Sequence, residues 1–376
     1  MPLAMPRFPS LVPPSHPREL GSMRWASSSS HHQARSRSSR TMPFQLSFLH
    51  ISAVVLLVLS SAILNQGRST AAVVQGAAHA AACASHDVAN PLAESFPNNA
   101  TGVLNATLVI IPISLEAARR LIPPQYGILE QAYRALLPDF PKGMYPVMLQ
   151  AAHDHDVQLR AYGITLDDFS RVGFEFPFLD LLGDGYSSFR WAPAQLISAT
   201  NTIAVEGSRA YGTIVSEAEY DPLCDAYRQL SNGASYFKGS RLAAPAEFIE
   251  FETTRTSSLS HTAYPLELFK NITNQPTFAN ASTCDNMIRL FNTSMSLGEH
   301  APVAVRGRVK ASHSLPFKGV QEWTDVYGVQ LATPFIENNY LDCRTMQGYE
   351  GTGGPGDSFI QTRKEEKGRY SNVNDL

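Results

Sequence analysis

Residues 173–191 read GFEFPFLDLLGDGYSSFRW, and residues 203–212 read IAVEGSRAYG. The first stretch is aromatic-rich and broken by the turn signal Gly183-Asp-Gly185. The charges Glu175, Arg190, Glu206 and Arg209 stand between apolar residues. Charges inside apolar strands are either paired or turned toward a cavity, and both readings stay open here. The same strand-like texture extends outward. FIEFET at 248–253 and VAVRGRVK at 303–310 alternate apolar with polar residues, the period of a half-buried strand. Asn232-Gly233 is a further turn signal. Upstream, the apolar run Val103 to Ile113 reads as a buried strand. A short helix follows it: Ser114 caps it, Glu116 suits its positive end, and Leu115, Ala118 and Leu121 share a face. Pro123-Pro124 stop that helix, and a second helix is expected around 285–297. The fold class is mainly β with a few helices.

The rest of the chain frames this body. Of 376 residues, 44% are hydrophobic and 17% charged, enough apolar material for a core. Residues 1–82 carry seven arginines and one glutamate, leaving 23 basic and 32 acidic side chains, a charge of −9, for the remainder. A mildly acidic body without a basic cluster argues against nucleic acid as a partner. Residues 1–41 are rich in Pro, Ser and Arg, and read either as a disordered extension resembling a presequence or as sequence upstream of a true start at Met42. Residues 44–64 carry no charge and centre on AVVLLVL at 53–59, the profile of a signal peptide or, alternatively, of a single membrane anchor. Residues 42–72 thus form the leader and 73–100 a linker. The folded domain is expected over 101–344, and the Gly-rich, charged stretch 345–376 as a disordered tail.

Five N-glycosylation sequons, at Asn99, Asn105, Asn271, Asn280 and Asn292, all lie beyond the leader and suit a secreted, extracellular chain. The four cysteines contain no C-x-x-C pair, so an even count in an oxidising lumen favours two disulfides. The expected pairs are Cys224–Cys284 within the body and Cys83–Cys343 joining its ends.

Few local motifs speak for chemistry. His153-Asp-His-Asp156 places two histidines on one face of a strand, but no spacing nominates a third metal ligand, so no metal is assigned. The chain has no G-x-S-x-G elbow, no G-x-G-x-x-G and no Walker loop. Asp167-Asp168 and the Glu217/Glu219 pair fall in polar stretches and read as solvated. No cofactor is implied.

Three segments, in order, resemble the acetoacetate decarboxylase superfamily and its diverged fungal branch. They are the strand and helix ending in LIPPQYGIL at 121–129, the later strand with His153-Asp154, and IAVEGSRAYG at 203–212, which is similar to the strand leading into that family's catalytic loop. The resemblance covers roughly 103–330 and implies a closed, cone-like antiparallel β-barrel around a central cavity. Family members form a Schiff base through a buried lysine whose pKa is lowered by its surroundings. Here Val215 and Ser216 stand where the resemblance places the lysine pair, and no lysine occurs between Lys142 and Lys238. Leu104 falls where the family's carboxylate-holding arginine is expected. The resemblance therefore implies the fold more than the activity.

The functional expectation is a secreted barrel that binds a small, partly apolar ligand without Schiff-base chemistry, with Arg209, Tyr211, Glu206, Arg190 and His153 lining the site. The alternatives are a lyase acting on keto acids or polyketide-like compounds, and a structural cell-surface glycoprotein.

Overall fold

The computed structural model describes Cys83 and residues 87–256, 264–280 and 283–348; the expectations for 1–72 and for most of the tail lie outside them. The body opens with strand β1 (Ala100–Ser114) and helix α1 (Leu115–Leu121), then β2 (Gly127–Ile128), α2 (Glu130–Leu136), β3 (Met144–Leu159) and β4 (Ile164–Thr165). Next come β5 (Phe169–Asp180), β6 (Phe189–Trp191), β7 (Ala194–Ser198) and helix α3 (Thr202–Ala210). Strands β8 (Ile214–Asp221), β9 (Arg228–Gln229), β10 (Ser235–Arg241) and β11 (Phe248–Arg255) precede helix α4 (Leu266–Asn274). The chain finishes with β12 (Thr277–Phe278), β13 (Cys284–Arg289), β14 (Val303–Ser312) and the long β15 (Val320–Leu341).

Strands β5, β3, β1 and β15 form an antiparallel wall. Two arms leave its β5 edge and rejoin it on β15. One runs through β7, β8, β10, β11 and β14 and meets β15 over residues 320–330. The other runs through β6, β12 and β13 and meets β15 over residues 335–341. The sheet thus closes twice on one wall, and the outer path makes a ring of ten strands. Closure agrees with the expected fold class. Pure antiparallel pairing does not: β6–β12 and β7–β8 are parallel, because α3 and longer connections return those strands in the same sense.

Register explains why β1 is apolar almost throughout. Leu104, Ala106 and Leu108 lie level with Asp154, Ala152 and Gln150 of β3, which lie level with Phe169, Arg171 and Gly173 of β5. Side chains on this face meet the shorter arm: Glu175 meets Arg190 of β6, and Arg171 meets Met287 of β13. The opposite face meets the longer arm, where Gln330 contacts Thr107 and Ser235, and Phe174 lies against Phe317 and Trp323. A strand covered on both faces has no solvent side on which to place polar residues.

The first helix forms as read, with the Ser114 hydroxyl accepting from Ala117 N at 3.1 Å and Ala118 buried. Two elements differ from expectation. Residues 202–210 are helix α3 rather than strand, because the Asn201 side chain caps them by accepting from Ala204 N at 2.9 Å. Residues 284–289 are strand β13 rather than helix, because β12 and β15 offer two open edges that it fills. The domain also begins before 101, with Leu92 fully buried, and a 3-10 turn with buried Met346 extends past 344.

The cysteines pair as Cys83–Cys224 and Cys284–Cys343, correcting the expected connectivity. Cys284 lies opposite Leu341 on the β13–β15 ladder, two residues short of Cys343, so the sheet itself brings their Cα atoms within 5.0 Å. Among the described residues no helix is long and apolar enough to cross a membrane.

Candidate functional site

The face enclosed by the shorter arm carries an unusual density of charge for a buried surface. Arg171 of β5 makes a two-pronged pair with Asp154 of β3, Nε to Oδ2 at 2.7 Å and Nη2 to Oδ1 at 3.2 Å. Arg190 of β6 pairs with Glu175 at 3.0 Å and donates to the Thr277 hydroxyl at 2.7 Å. Gln150 donates to Glu175 at 3.2 Å and accepts from Arg289 of β13. Burying such groups is tolerable only when each finds a partner.

Arg289 is the exception. It is 2% exposed, makes no ion pair among the described residues, and its Nε and Nη1 have no hydrogen-bond partner. Burial, reinforced by Arg190 and Arg171, pulls its pKa down to about 9. Arg171 is the contrast: burial opposes its charge, yet Asp154 raises its pKa.

Toward the edge of this face, Asp285 of β13 and Glu337 of β15 bring their carboxyl groups into hydrogen-bond contact. Burial, then the Glu337 charge, raises Asp285 well above the ordinary carboxylate range, and burial also raises Glu337. Two carboxyls in contact disfavour each other's ionisation. Both remain partly accessible, whereas Arg289, Arg190 and Glu175 are buried. Tyr211 and Tyr340 lie beside the carboxyl pair, stacked at 4.9 Å, with Tyr340 N donating to the Tyr211 hydroxyl at 3.3 Å.

Of the residues singled out in the sequence, Arg190 lies within this cluster and Tyr211 at its edge. His153 points to the opposite face, its Nδ1 3.0 Å from Ser170 Oγ, its Nε2 without a partner and its pKa lowered by burial. Its ring lies 6.5 Å from that of His155, and no group of three or more metal-ligating side chains occurs among the described residues. Glu206 and Arg209 sit half-exposed on α3 and pair with each other at 2.6 Å. Val215 and Ser216 lie on β8, and Lys238 on β10 lies over the Phe248 ring at 4.4 Å. Leu104 faces the polar cluster and is fully buried.

Sequence reasoning missed Gln150, Asp154, Arg171, Asp285, Arg289 and Glu337 as a group. The signal was the one seen at Glu175, a charge within an apolar run, as in MIRLF at 287–291. A separate open cleft of about 480 Å³, lined by Asp87, Asn105, Asp225, Tyr227, Arg255 and Gln330 among others, lies over the longer arm's side. Several of its polar groups already satisfy one another or their neighbours: Asn105 donates to Asp87, and Gln330 bonds to Thr107 and Ser235.

The site is thus a closed mixed sheet enclosing three guanidiniums, four carboxyls and apolar walls. No family model and no curated protein matches the sequence. Similar solved structures include the enduracididine biosynthesis enzyme MppR complexed with the condensation product of pyruvate and imidazole 4-carboxaldehyde, at 10% identity and TM-score 0.36, over 65% of this chain and 90% of that one. MppR with HEPES buffer bound gives 10% identity and TM-score 0.34, over 64% and 85%. An acetoacetate decarboxylase-like enzyme from Sphingomonas wittichii RW1 gives 9% identity and TM-score 0.31, over 65% and 94%. At these TM-scores the likenesses are partial, and the chemistry of the interior rests on the residues of this chain.

Proposed function

We propose that the face enclosed by the shorter arm binds a small, partly apolar organic carboxylate without forming an imine with it. The observation that carries this reading is Arg289, a buried guanidinium with two unfilled donors and two further guanidiniums beside it. A carboxylate arriving there accepts from one of these free donors and offsets the local positive charge. Leu104, Leu108, Met287 and Phe335 line the same face and suit a short apolar chain. Among the described residues the lysines on the strands of the longer arm are Lys238 and Lys310, and both lie over the Phe248 ring rather than in this cluster. The leader, the sequons and the two disulfides support a secreted glycoprotein as the setting for this activity.

Calorimetric titration with acetoacetate, 2-oxobutanoate and hexanoate tests the reading. At least one is expected to bind, and Arg289→Met is expected to weaken it at least tenfold, the loss of about 1.4 kcal/mol or more. The same variant should be no less stable than the native chain without ligand, because it removes a buried charge that lacks a carboxylate. Unchanged affinity in Arg289→Met would remove the anchor from the proposal. Borohydride added with acetoacetate should leave the intact mass unaltered; a covalent adduct on any lysine would restore the imine route.

A further inference from the structure

We infer that the open cleft on the longer arm's side is a second binding site, that its ligand is a neutral saccharide, and that the Cys83–Cys224 disulfide assembles it. The floor of the cleft comes from four neighbouring strands, with Arg255 on β11, Val303 on β14, Gln330 on β15 and Asn105 on β1. Val303 lies level with Gln330, and Gln330 with Thr107 of β1, so the floor belongs to the face that the longer arm encloses. Asp225 and Tyr227, from the connection between β8 and β9, make one wall. Asp87 and Val88, from the segment ahead of β1, make the other. Cys224 directly precedes Asp225, and Cys83 stands four residues before Asp87. The disulfide, with its Cα atoms 5.2 Å apart, therefore holds both walls and both carboxylates at one cleft. The far end of the Asp87 segment is pinned by Asn90, which donates to the Asp156 carbonyl at 3.1 Å, and by fully buried Leu92. The volume of about 480 Å³ falls within the roughly 300–1,000 Å³ of small-molecule sites.

The lining selects its ligand by charge and by hydrogen-bond type. Asp87 and Asp225 repel a carboxylate or a phosphate, and Arg255 repels an ammonium. A plain alkyl chain would cover these groups without giving them a partner, which costs the desolvation of each. A hydroxyl both donates and accepts, so a ligand carrying several serves the carboxylates and the guanidinium together. Arg255 is in hydrogen-bond contact with the Tyr227 hydroxyl, which fixes one donor and one ring beside each other on the cleft surface. On the floor, Asn105 uses its Nδ2 on Asp87, while its Oδ1 has no donor among the described residues. Val88, Met295 and Val303 add apolar surface between the polar groups. A sugar ring has this same division, with hydroxyls around its edge and C–H groups on its faces.

The probes are the methyl glycosides of glucose, galactose, mannose and N-acetylglucosamine, titrated against the full chain from a eukaryotic host and followed by ligand-observed NMR. At least one is expected to bind. The uronic acid and the amino sugar corresponding to the best-bound ring should each bind at least ~3-fold more weakly, because each brings a charge that one side of the cleft repels. Arg255→Met and Asp225→Ala should each weaken binding about tenfold, the scale of one hydrogen bond to a charged group. Both residues are exposed, so the substitutions spare the core, and thermal melts confirm that each variant folds. The double variant Cys83→Ser, Cys224→Ser should weaken binding likewise, and Lys238→Met should leave it unchanged. No binding by any of the four glycosides overturns the inference, as does equal or tighter binding of a charged form. Full affinity in both Arg255→Met and Asp225→Ala also overturns it, and full affinity in the cysteine variant removes the disulfide from the construction of the site. Glycopeptide mapping of the same material decides on the rival occupant: Asn105 is expected bare, and a glycan attached there would fill the cleft and overturn the inference.

Discussion

Asp285 and Glu337 tie stability to pH in a direction opposite to most surface carboxylates of this chain. Asp221, Glu252 and Asp342 have pKa values lowered mainly by hydrogen bonds from arginines, so their contribution is present above the ordinary carboxylate range and lost on acidification. The buried pair works the other way. Its folded-state values are raised, so the native state binds more protons than the unfolded chain between the ordinary carboxylate range and the raised values. The stability this preference contributes is fully present at low pH and lost as pH rises through the raised values. Asp285→Asn removes one member of the pair and, with it, the repulsion. The difference in melting temperature, variant minus native, should therefore grow as pH rises from 4 to 8. At pH 8 the variant should melt roughly 2–4 °C higher, the shift that about 1 kcal/mol gives in a domain of this size. A difference that stays constant across this range would mean that the two carboxyls do not disfavour each other's ionisation.

At the scale of elements, the double closure rests on how tightly β15 lies against its neighbours. A Cβ added at Gly328 would stand 2.1 Å from the Leu108 carbonyl oxygen, and one at Gly307 of β14 would stand 2.0 Å from the Glu252 carbonyl oxygen. Both clashes are with backbone, which cannot rotate away as a side chain can. Gly328 pairs with Val109 on one side and Val305 on the other, in the part of β15 that both β1 and β14 use. Gly328→Ala must therefore spread the wall at the seam of the larger closure. Urea unfolding should show a loss of about 3 kcal/mol, the upper end of overpacking costs, or the variant should fail to accumulate in soluble form. Gly207→Ala provides the comparison, since nothing lies within 4 Å of a Cβ there and helix α3 gains propensity. Its stability should be equal or slightly raised.

For the whole molecule, burial sorts the five sequons. Asn280 and Asn292 are exposed. Asn271 is 7% exposed on α4, accepts a hydrogen bond from Gln275 at 2.9 Å, and is followed by fully buried Thr273. A glycan on Asn271 has no path out of the folded domain. Glycopeptide mapping of the chain expressed in a eukaryotic host should find Asn280 and Asn292 occupied and Asn271 bare. An occupied Asn271 in soluble, folded material would mean that α4 does not sit against the sheet as described.

The amino-acid sequence alone determined the local elements whose signals are complete within a few residues. The Ser114 cap and the Pro123-Pro124 stop specify α1, and period-two alternation specifies β11 and β14. It also marked Glu175 and Arg190 as charges either paired or turned toward a cavity, and they pair with each other. Tertiary structure decided what depends on distant edges and faces. Residues 284–289 are a strand because β12 and β15 flank them, and that ladder in turn sets the Cys284–Cys343 pair. The site follows the same rule. Gln150, Arg289 and Glu337 are separated by up to 187 positions in the numbering, and each alone is an unremarked polar residue in an apolar run. Only closure of the shorter arm over one face of the wall brings them together, because strand alternation says that a side chain has a face but not which other strands will share it.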